Sequence, residues 1–415
     1  PTYTSPSGGE ENTPVMGWMD AREASGTVWQ PASTPHRGIQ RMYGKYTLIF
    51  HWMATLDYDH QGGPQGETEI GSHNWVMAMA TRPTGEGRLS YRAMFSLEPV
   101  TQGKNGYPEL FQTGEALRGV FLVNRQHPHD LFMELSMSYQ RPLNAKTGWH
   151  VYLAPVGEPA LGPPGFPHRL SASMNMEAPL GHHQQDSTHV AFGVVTAGVT
   201  TGQARIEASV FNGREPDDQR WDLDFGPLDS YSTRVSYNPT PKWSFQVSAG
   251  HLVEPEELKP GVSANRQTAS ALYTRSSPNG FWANSLIWGN NHEEQEAALT
   301  TLTLESLMNA RREYFFARLE SAQRMELPGL AEGERATVGV LTLGLAHDFY
   351  QTDRGAWAVG GQASFYRVPD KLKEIYGDPV SYHIFVQWRP PRMHHAAIGM
   401  DEEMPEMDMR HMHMH

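Results

Sequence analysis

At 415 residues the chain is long enough for two or three ordinary domains or for one large all-β barrel. It contains no cysteine, which excludes disulfides and thiolate metal sites and suits an oxidising compartment, and its net charge of −13 argues against nucleic acid as a partner. It has no apolar run of the roughly 18 residues that a membrane-crossing helix needs, and Pro1 in place of an initiator Met reads as a mature chain whose export signal has been removed.

Residues 1–44 are rich in Gly, Pro and Ser and carry no strand pattern, so they read as a periplasmic segment or a plug folded back into a barrel. From residue 45 to residue 389 the sequence alternates between apolar and polar side chains in about sixteen segments of about ten residues each. These begin near residues 45, 70, 86, 128, 146, 188, 203, 228, 241, 264, 280, 297, 311, 335, 355 and 378. In "RLSYRAMFSL", Leu89, Tyr91, Ala93, Phe95 and Leu97 share one face, and Arg88, Ser90, Arg92, Met94 and Ser96 the other. In "DLFMELSMSYQ", Leu131, Met133, Leu135, Met137 and Tyr139 oppose Glu134, Ser136, Ser138 and Gln140. Trp243, Phe245, Val247 and Ala249 likewise oppose Ser244, Gln246 and Ser248, and Phe315, Ala317 and Leu319 oppose Phe316, Arg318 and Glu320.

Connections after even-numbered segments are short ("TRPTGEG", "NPTPK", "QTDRG"), whereas those after odd-numbered ones are mostly long, among them 99–127, 156–187, 213–227 and 253–263. Short periplasmic turns alternating with long external loops are what an outer-membrane barrel requires, and a large soluble all-β protein has no reason to alternate them. The expected fold is therefore an all-β transmembrane outer-membrane β-barrel of about sixteen antiparallel strands, spanning 45–389, with both termini in the periplasm. Trp149, Trp243, Trp357, Tyr382 and Trp388 lie near strand ends on apolar faces, as an aromatic girdle would. The last strand, "VSYHIFVQW", closes on an aromatic residue, which resembles the assembly signal of bacterial outer-membrane proteins, although this chain continues beyond it.

The inward faces should carry Arg92, Glu98, Glu134, Arg205, Glu207, Arg234, Arg266, Glu305, Arg318 and Glu320, either as a lumen braced by ion pairs or as a charged transport path. The first strand directs His51, Met53, Thr55, Asp57 and Asp59 inward if Phe50, Trp52 and Leu56 face lipid, and a His and Met two apart suit a soft-metal relay.

Histidine is concentrated in three stretches. "NRQHPHDLFME" gives His127, His129, Asp130 and Glu134; "GEPALGPPGFPHRLSAS" gives Glu158, His168 and Arg169; "EAPLGHHQQDSTH" gives Glu177, His182, His183, Asp186 and His189. Imidazole beside carboxylate suits a divalent transition metal. His127, His129, Asp130, His182, His183, Asp186 and His189 are candidate ligands expected to converge over the barrel mouth, the alternative being loop anchors that hydrogen-bond one another. Asp186, Ser187 and His189 also invite a hydrolase reading, but no G-x-S-x-G elbow supports it and no catalytic residue is assigned.

The stretches "DYDHQGGPQG", "GKNGYPELFQTGE", "RQHPHDLFMELSMSY", "GEPALGPPGFPHR", "HHQQDSTHVAFGVVTAG", "EASVFNGREPDDQRWD" and "LDSYSTRVSYNPTP" resemble a family of uncharacterised bacterial outer-membrane β-barrel proteins, over about residues 45–290. The resemblance implies an association with copper and silver efflux systems; it supplies no mechanism and no catalytic residues.

The final segment, 390–415, reads as a disordered-type metal-binding tail: seven of the chain's twenty Met fall in its last 25 residues, with five His. Thioethers select Cu(I) and imidazole suits both copper states, so Met393, His394, His395, Met400, Met404, Met407, Met409, His411, Met412, His413, Met414 and His415 are candidate copper ligands. Asp401, Glu402, Glu403, Glu406 and Asp408 add cation-attracting charge; the plain alternative is a low-complexity tail. The sequence thus points to an outer-membrane barrel that binds, handles or transports copper or silver. Its expected partners are outer-membrane lipid, metal ions and periplasmic copper carriers or efflux components. A structural or general-solute porin with a metal-sequestering tail is the alternative, and an outer-membrane hydrolase a more distant one.

Overall fold

The computed structural model describes residues 21–103, 105–294 and 296–393. Sixteen antiparallel strands form one closed barrel. The first four are β1 (Tyr46–His60), β2 (Asn74–Thr84), β3 (Gly87–Phe95) and β4 (Phe132–Pro142). Then come β5 (Thr147–Gly157), β6 (Ala191–Thr201), β7 (Ala204–Asn212) and β8 (Ser230–Thr240). They are followed by β9 (Trp243–Leu252), β10 (Ala264–Ser277), β11 (Gly280–Glu293) and β12 (Leu299–Ala310). The wall ends with β13 (Glu313–Arg324), β14 (Ala336–Thr352), β15 (Gly355–Arg367) and β16 (Val380–Arg389). Closure pairs β1 with β16, Ala54 opposite Trp388 through His60 opposite Tyr382. A sheet closed this way leaves no unpaired edge, the condition for placing strands in lipid.

The alternation dictates the two faces. Trp243, Phe245 and Val247 are exposed on the outside while Ser244, Gln246 and Ser248 are buried inside, and β3, β9 and β13 follow the expected pattern throughout. At the short-turn end Trp388 sits against both Trp52 and Trp357, and Trp243 against Tyr273; at the opposite end Tyr382 stacks on Tyr58. These are girdle positions. One residue departs from the expectation: Met133 is buried within the barrel, because the register with β3 slips between Phe132 and Glu134 and the bulge turns its side chain inward.

Six of the seven connections after even-numbered strands hold two residues and the seventh, 143–146, holds four. Two-residue turns need left-handed backbone to match the twist of the flanking strands, and Gly202 supplies it at φ +56°. The long connections instead build a lid. Leu110 and Phe111 from the β3–β4 loop, Leu180 from the β5–β6 loop, Leu327 from the β13–β14 loop and Leu372 and Tyr376 from the β15–β16 loop share one apolar core. Beneath this lid the β5–β6 loop descends into the barrel.

The expected inward charges all lie inside, and all are buried, from 0% exposure at Arg234 to 7% at Arg92. A water-filled channel would expose them. They are instead braced: Arg234 on Glu207 at 3.2 Å, Arg318 on Glu305 at 3.3 Å, and Arg92 on Glu23 and Glu134. Glu23 comes from residues 21–38, which enter the barrel from the short-turn end. There Trp29 is 1% exposed between the guanidinium groups of Arg22 and Arg205, at 3.8 and 4.6 Å from its ring centroid. The backbone at Met393 bonds the carbonyl of His36, so the start of the tail leaves at the same end. Of the expected tail ligands only Met393 is among the described residues; His394, His395, Met400, Met404, Met407, Met409, His411, Met412, His413, Met414 and His415 lie outside them.

Candidate functional site

Arg169 is the buried cation that the β5–β6 loop itself carries into the lumen, where Arg234, Arg318 and Arg324 of the wall also bond the loop. Arg169 donates to Glu305 at 2.8 and 3.0 Å, to Asp186 at 2.7 Å and to the Pro164 carbonyl at 2.9 Å. Its proline-rich first half cannot continue a sheet ladder, so it turns down, and its second half returns as the single-turn helix His182–Gln185 and the 3₁₀ turn Ser187–His189. That path sets His182, His183 and His189 beside His127 and His129, which precede β4. The five histidines expected at the mouth do converge. Ring centroids are 5.2 Å apart for His129 and His189, 5.3 Å for His182 and His189, 5.2 Å for His182 and His183, and 6.3 Å for His127 and His183.

The hydrogen bonds decide which nitrogens are free. His129 presents Nδ1 to a Glu98 carboxylate oxygen at 2.8 Å, and its backbone N–H donates to the same oxygen at 3.0 Å. His189 presents Nδ1 to the carbonyl of Asp186 at 2.8 Å. Each ring needs a proton on Nδ1 to make these bonds, so with both rings neutral the two Nε2 lone pairs face each other across 3.1 Å. Two lone pairs at that distance repel unless a proton or a cation lies between them. A carboxylate or carbonyl behind each imidazole is also the arrangement that orients metal-bound histidine. With metal–nitrogen bonds of about 2.0–2.1 Å, two imidazoles on a tetrahedral ion stand about 3.3 Å apart, close to the separation here. The adjoining cavity of about 30 Å³ has room for one ion or water.

Burial favours neutral rings at His183 and His189. Burial holds His189 and His183 well below the usual imidazole range, against the pull of Asp186 on the first and Glu115 on the second. His183 Nδ1 has no hydrogen-bond partner and faces Glu215 at 3.8 Å. Ligand atoms of Glu115, His183 and Glu215 all lie within 4.8 Å of one another. His127 is committed at both ends, to Glu115 and to the Pro128 carbonyl. The expected carboxylates do not aim at the histidine pair: Asp130 holds Arg220, and Asp186 holds Arg169 and His182. The anions that do face the rings are Glu98, Glu115 and Glu215: the sequence placed Glu98 inside without a histidine partner, and it gave no signal for Glu115 and Glu215, which have no histidine beside them in the chain. Among the described residues no serine–histidine couple forms: Ser187 Oγ accepts from Arg266, away from His189.

The fourth histidine of the loop, His168, points down to a chamber of about 200 Å³ between the loop and residues 21–38. His129 borders both this chamber and the outer cavity. On β16, beside β1, His383 lies 3.0 Å from Asp59 and 3.2 Å from Glu177, which also accepts from Gln61, Gln362 and Ser364. That set pins the descending loop to the barrel.

No protein-family model and no curated protein matches the chain. Solved structures do. Salmonella typhi OmpF, in a complex with daunomycin, aligns at a TM-score of 0.50 and 8% identity, over 85% of this chain and 100% of that one. OmpT, an outer-membrane protein of Vibrio cholerae, aligns at 0.49 and 8% identity (85% and 100% covered), and an anion-selective porin from Comamonas acidovorans at 0.48 and 10% (82% and 99%). In fold, this chain is a sixteen-stranded barrel of the bacterial outer-membrane, porin-like type.

Proposed function

We propose that the protein is an outer-membrane barrel that binds copper or silver beneath its loops and passes it on, and is not an open diffusion pore. The observation that carries this reading is the His129–His189 pair, one half-buried and one buried imidazole with Nδ1 satisfied and Nε2 atoms facing at 3.1 Å. Imidazole nitrogen with carboxylate close by favours copper over other divalent first-row ions. The Met/His tail begins at the short-turn end, where residues 21–38 enter. In this reading that end faces the periplasm, and the tail meets periplasmic copper carriers or efflux components there. Protease added to intact cells should then cut the long loops and spare the tail.

The porin alternative rests on the fold alone, and the burial of every expected lumen charge speaks against it. The test is Cu(II) binding followed by electron paramagnetic resonance, on the full chain and on a chain ending at residue 392. The shorter chain should keep one copper with nitrogen hyperfine structure, lost in His129→Gln/His189→Gln. A shorter chain that binds no nitrogen-ligated copper contradicts the reading.

A further inference from the structure

Below the outer histidines, three adjacent strands set one inward row in register: His51 of β1 opposite Met77 of β2, and Met77 opposite Met94 of β3. His51 Nε2 lies 3.1 Å from Met77 Sδ. The descending loop brings His168 Nε2 to 3.2 Å from Met94 Sδ. The two rings are 6.2 Å apart, with Trp75 beside both at 4.9 and 5.3 Å. Met77 and Met94 also pack with Met133, Trp75 and Met79 in one apolar cluster, within which each of the two sulfurs faces an imidazole.

We infer that His51, Met77, Met94 and His168 form a second metal station in the chamber, for a soft monovalent cation, Cu(I) or Ag(I). The inference deepens the metal-handling reading and rests on it. All four donors are neutral. Thioether sulfur prefers soft ions, and a dication would need anionic ligands to offset its larger desolvation cost. Arg92, which borders the chamber, is already neutralised by Glu23 and Glu134. With metal–ligand bonds of about 2.0 Å to nitrogen and 2.3 Å to sulfur, N and S stand about 3.5 Å apart on a tetrahedral ion, so each pair opens by a few tenths of an ångström to admit one. His129 lines both cavities, so its side chain stands between the outer site and this station.

The test uses the full chain, folded in detergent, loaded with Ag(I) and crystallised, with silver located by anomalous scattering. A peak bonded to Met77 or Met94 sulfur is expected, and Met77→Leu/Met94→Leu should bind one silver fewer per chain. Leucine conserves the volume; should that variant fail to fold, His51→Gln/His168→Gln takes its place. Silver at the outer histidines or tail with none in the chamber overturns this inference and leaves metal handling standing. A chamber peak that persists in the leucine variant also overturns it. No silver anywhere overturns both.

Discussion

The outer and inner histidines sit within one lumen but keep different company. At the outer end His129 and His189 are backed by a carboxylate and a carbonyl, and Glu115 and Glu215 stand beside His183. In the chamber His51 and His168 face sulfur. The outer set offers nitrogen with anionic charge nearby and suits a borderline divalent ion; the inner set is neutral and soft. A cation moving inward would therefore meet a change in donor hardness, and the two regions can be perturbed separately.

The largest effect should come from Arg169→Met, which removes the cation that holds the loop carrying His168, His182, His183 and His189. Taking one partner from a buried ion pair costs about 3–5 kcal/mol, and here Asp186 loses its cation and Glu305 keeps only Arg318. The loop should leave the lumen. Planar-bilayer recordings should then show stepwise conductance that the parent lacks, and protease should cut within 158–190.

Trp29→Ala tests closure from the other end. Truncating a buried tryptophan costs about 3–5 kcal/mol, and here both cation–π contacts go with it. Residues 21–38 should become protease-sensitive while the barrel's thermal transition stays unchanged. Copper at the outer histidines should be retained, which separates the plug from the site.

Glu98→Gln tests orientation at the outer site, since Glu98 accepts from both the backbone and the ring of His129. Loss of such a partner lowers metal affinity about 10–100-fold. Cu(II) affinity should fall by that factor in the chain ending at residue 392, with silver uptake by Met77 and Met94 preserved.

The smallest effect is the pH dependence of the loop. Burial holds His183 and His189 well below 6.5, and His168 at about 3. Such groups contribute stability that is full above the unfolded value and lost as pH falls toward the folded one. Glu177, at about 2 because His383 and its hydrogen-bond donors outweigh burial, adds a loss below about pH 4.5. Glu158, pushed up to about 8 by burial against the pull of Arg234, works the other way between 4.5 and 8. Three imidazoles outnumber it. Hydrogen-exchange protection of 158–190, corrected for intrinsic rates, should decline from pH 6.5 to pH 4 while the strands hold theirs.

The barrel was legible in the sequence because strand period, turn length and loop length are local properties. Segment starts near 86, 146, 203, 241 and 280 fall within two residues of Gly87, Thr147, Ala204, Trp243 and Gly280. Met133 was misplaced because a bulge is set by pairing, and one extra residue flips a side chain across the wall. The outer histidines were legible because they cluster along the chain, at 127–129 and 182–189. His51, Met77, Met94 and His168 come from three strands and a loop, so only register unites them; Met53, paired with His51 in the sequence, lines the same chamber, and the sulfur against the His51 ring is that of Met77. Glu98 was placed on the inward side, yet its partner His129 lies 31 residues away.

Whether this barrel binds metal under its loops is decided by its copper content. The full chain would be purified from the outer membrane of copper-grown cells beside a general porin prepared identically, and copper per chain measured by mass spectrometry. At least one tightly held copper per chain is expected, reduced by His129→Gln/His189→Gln even when the tail is intact. Copper no higher than in the porin would mean that the barrel holds no metal there.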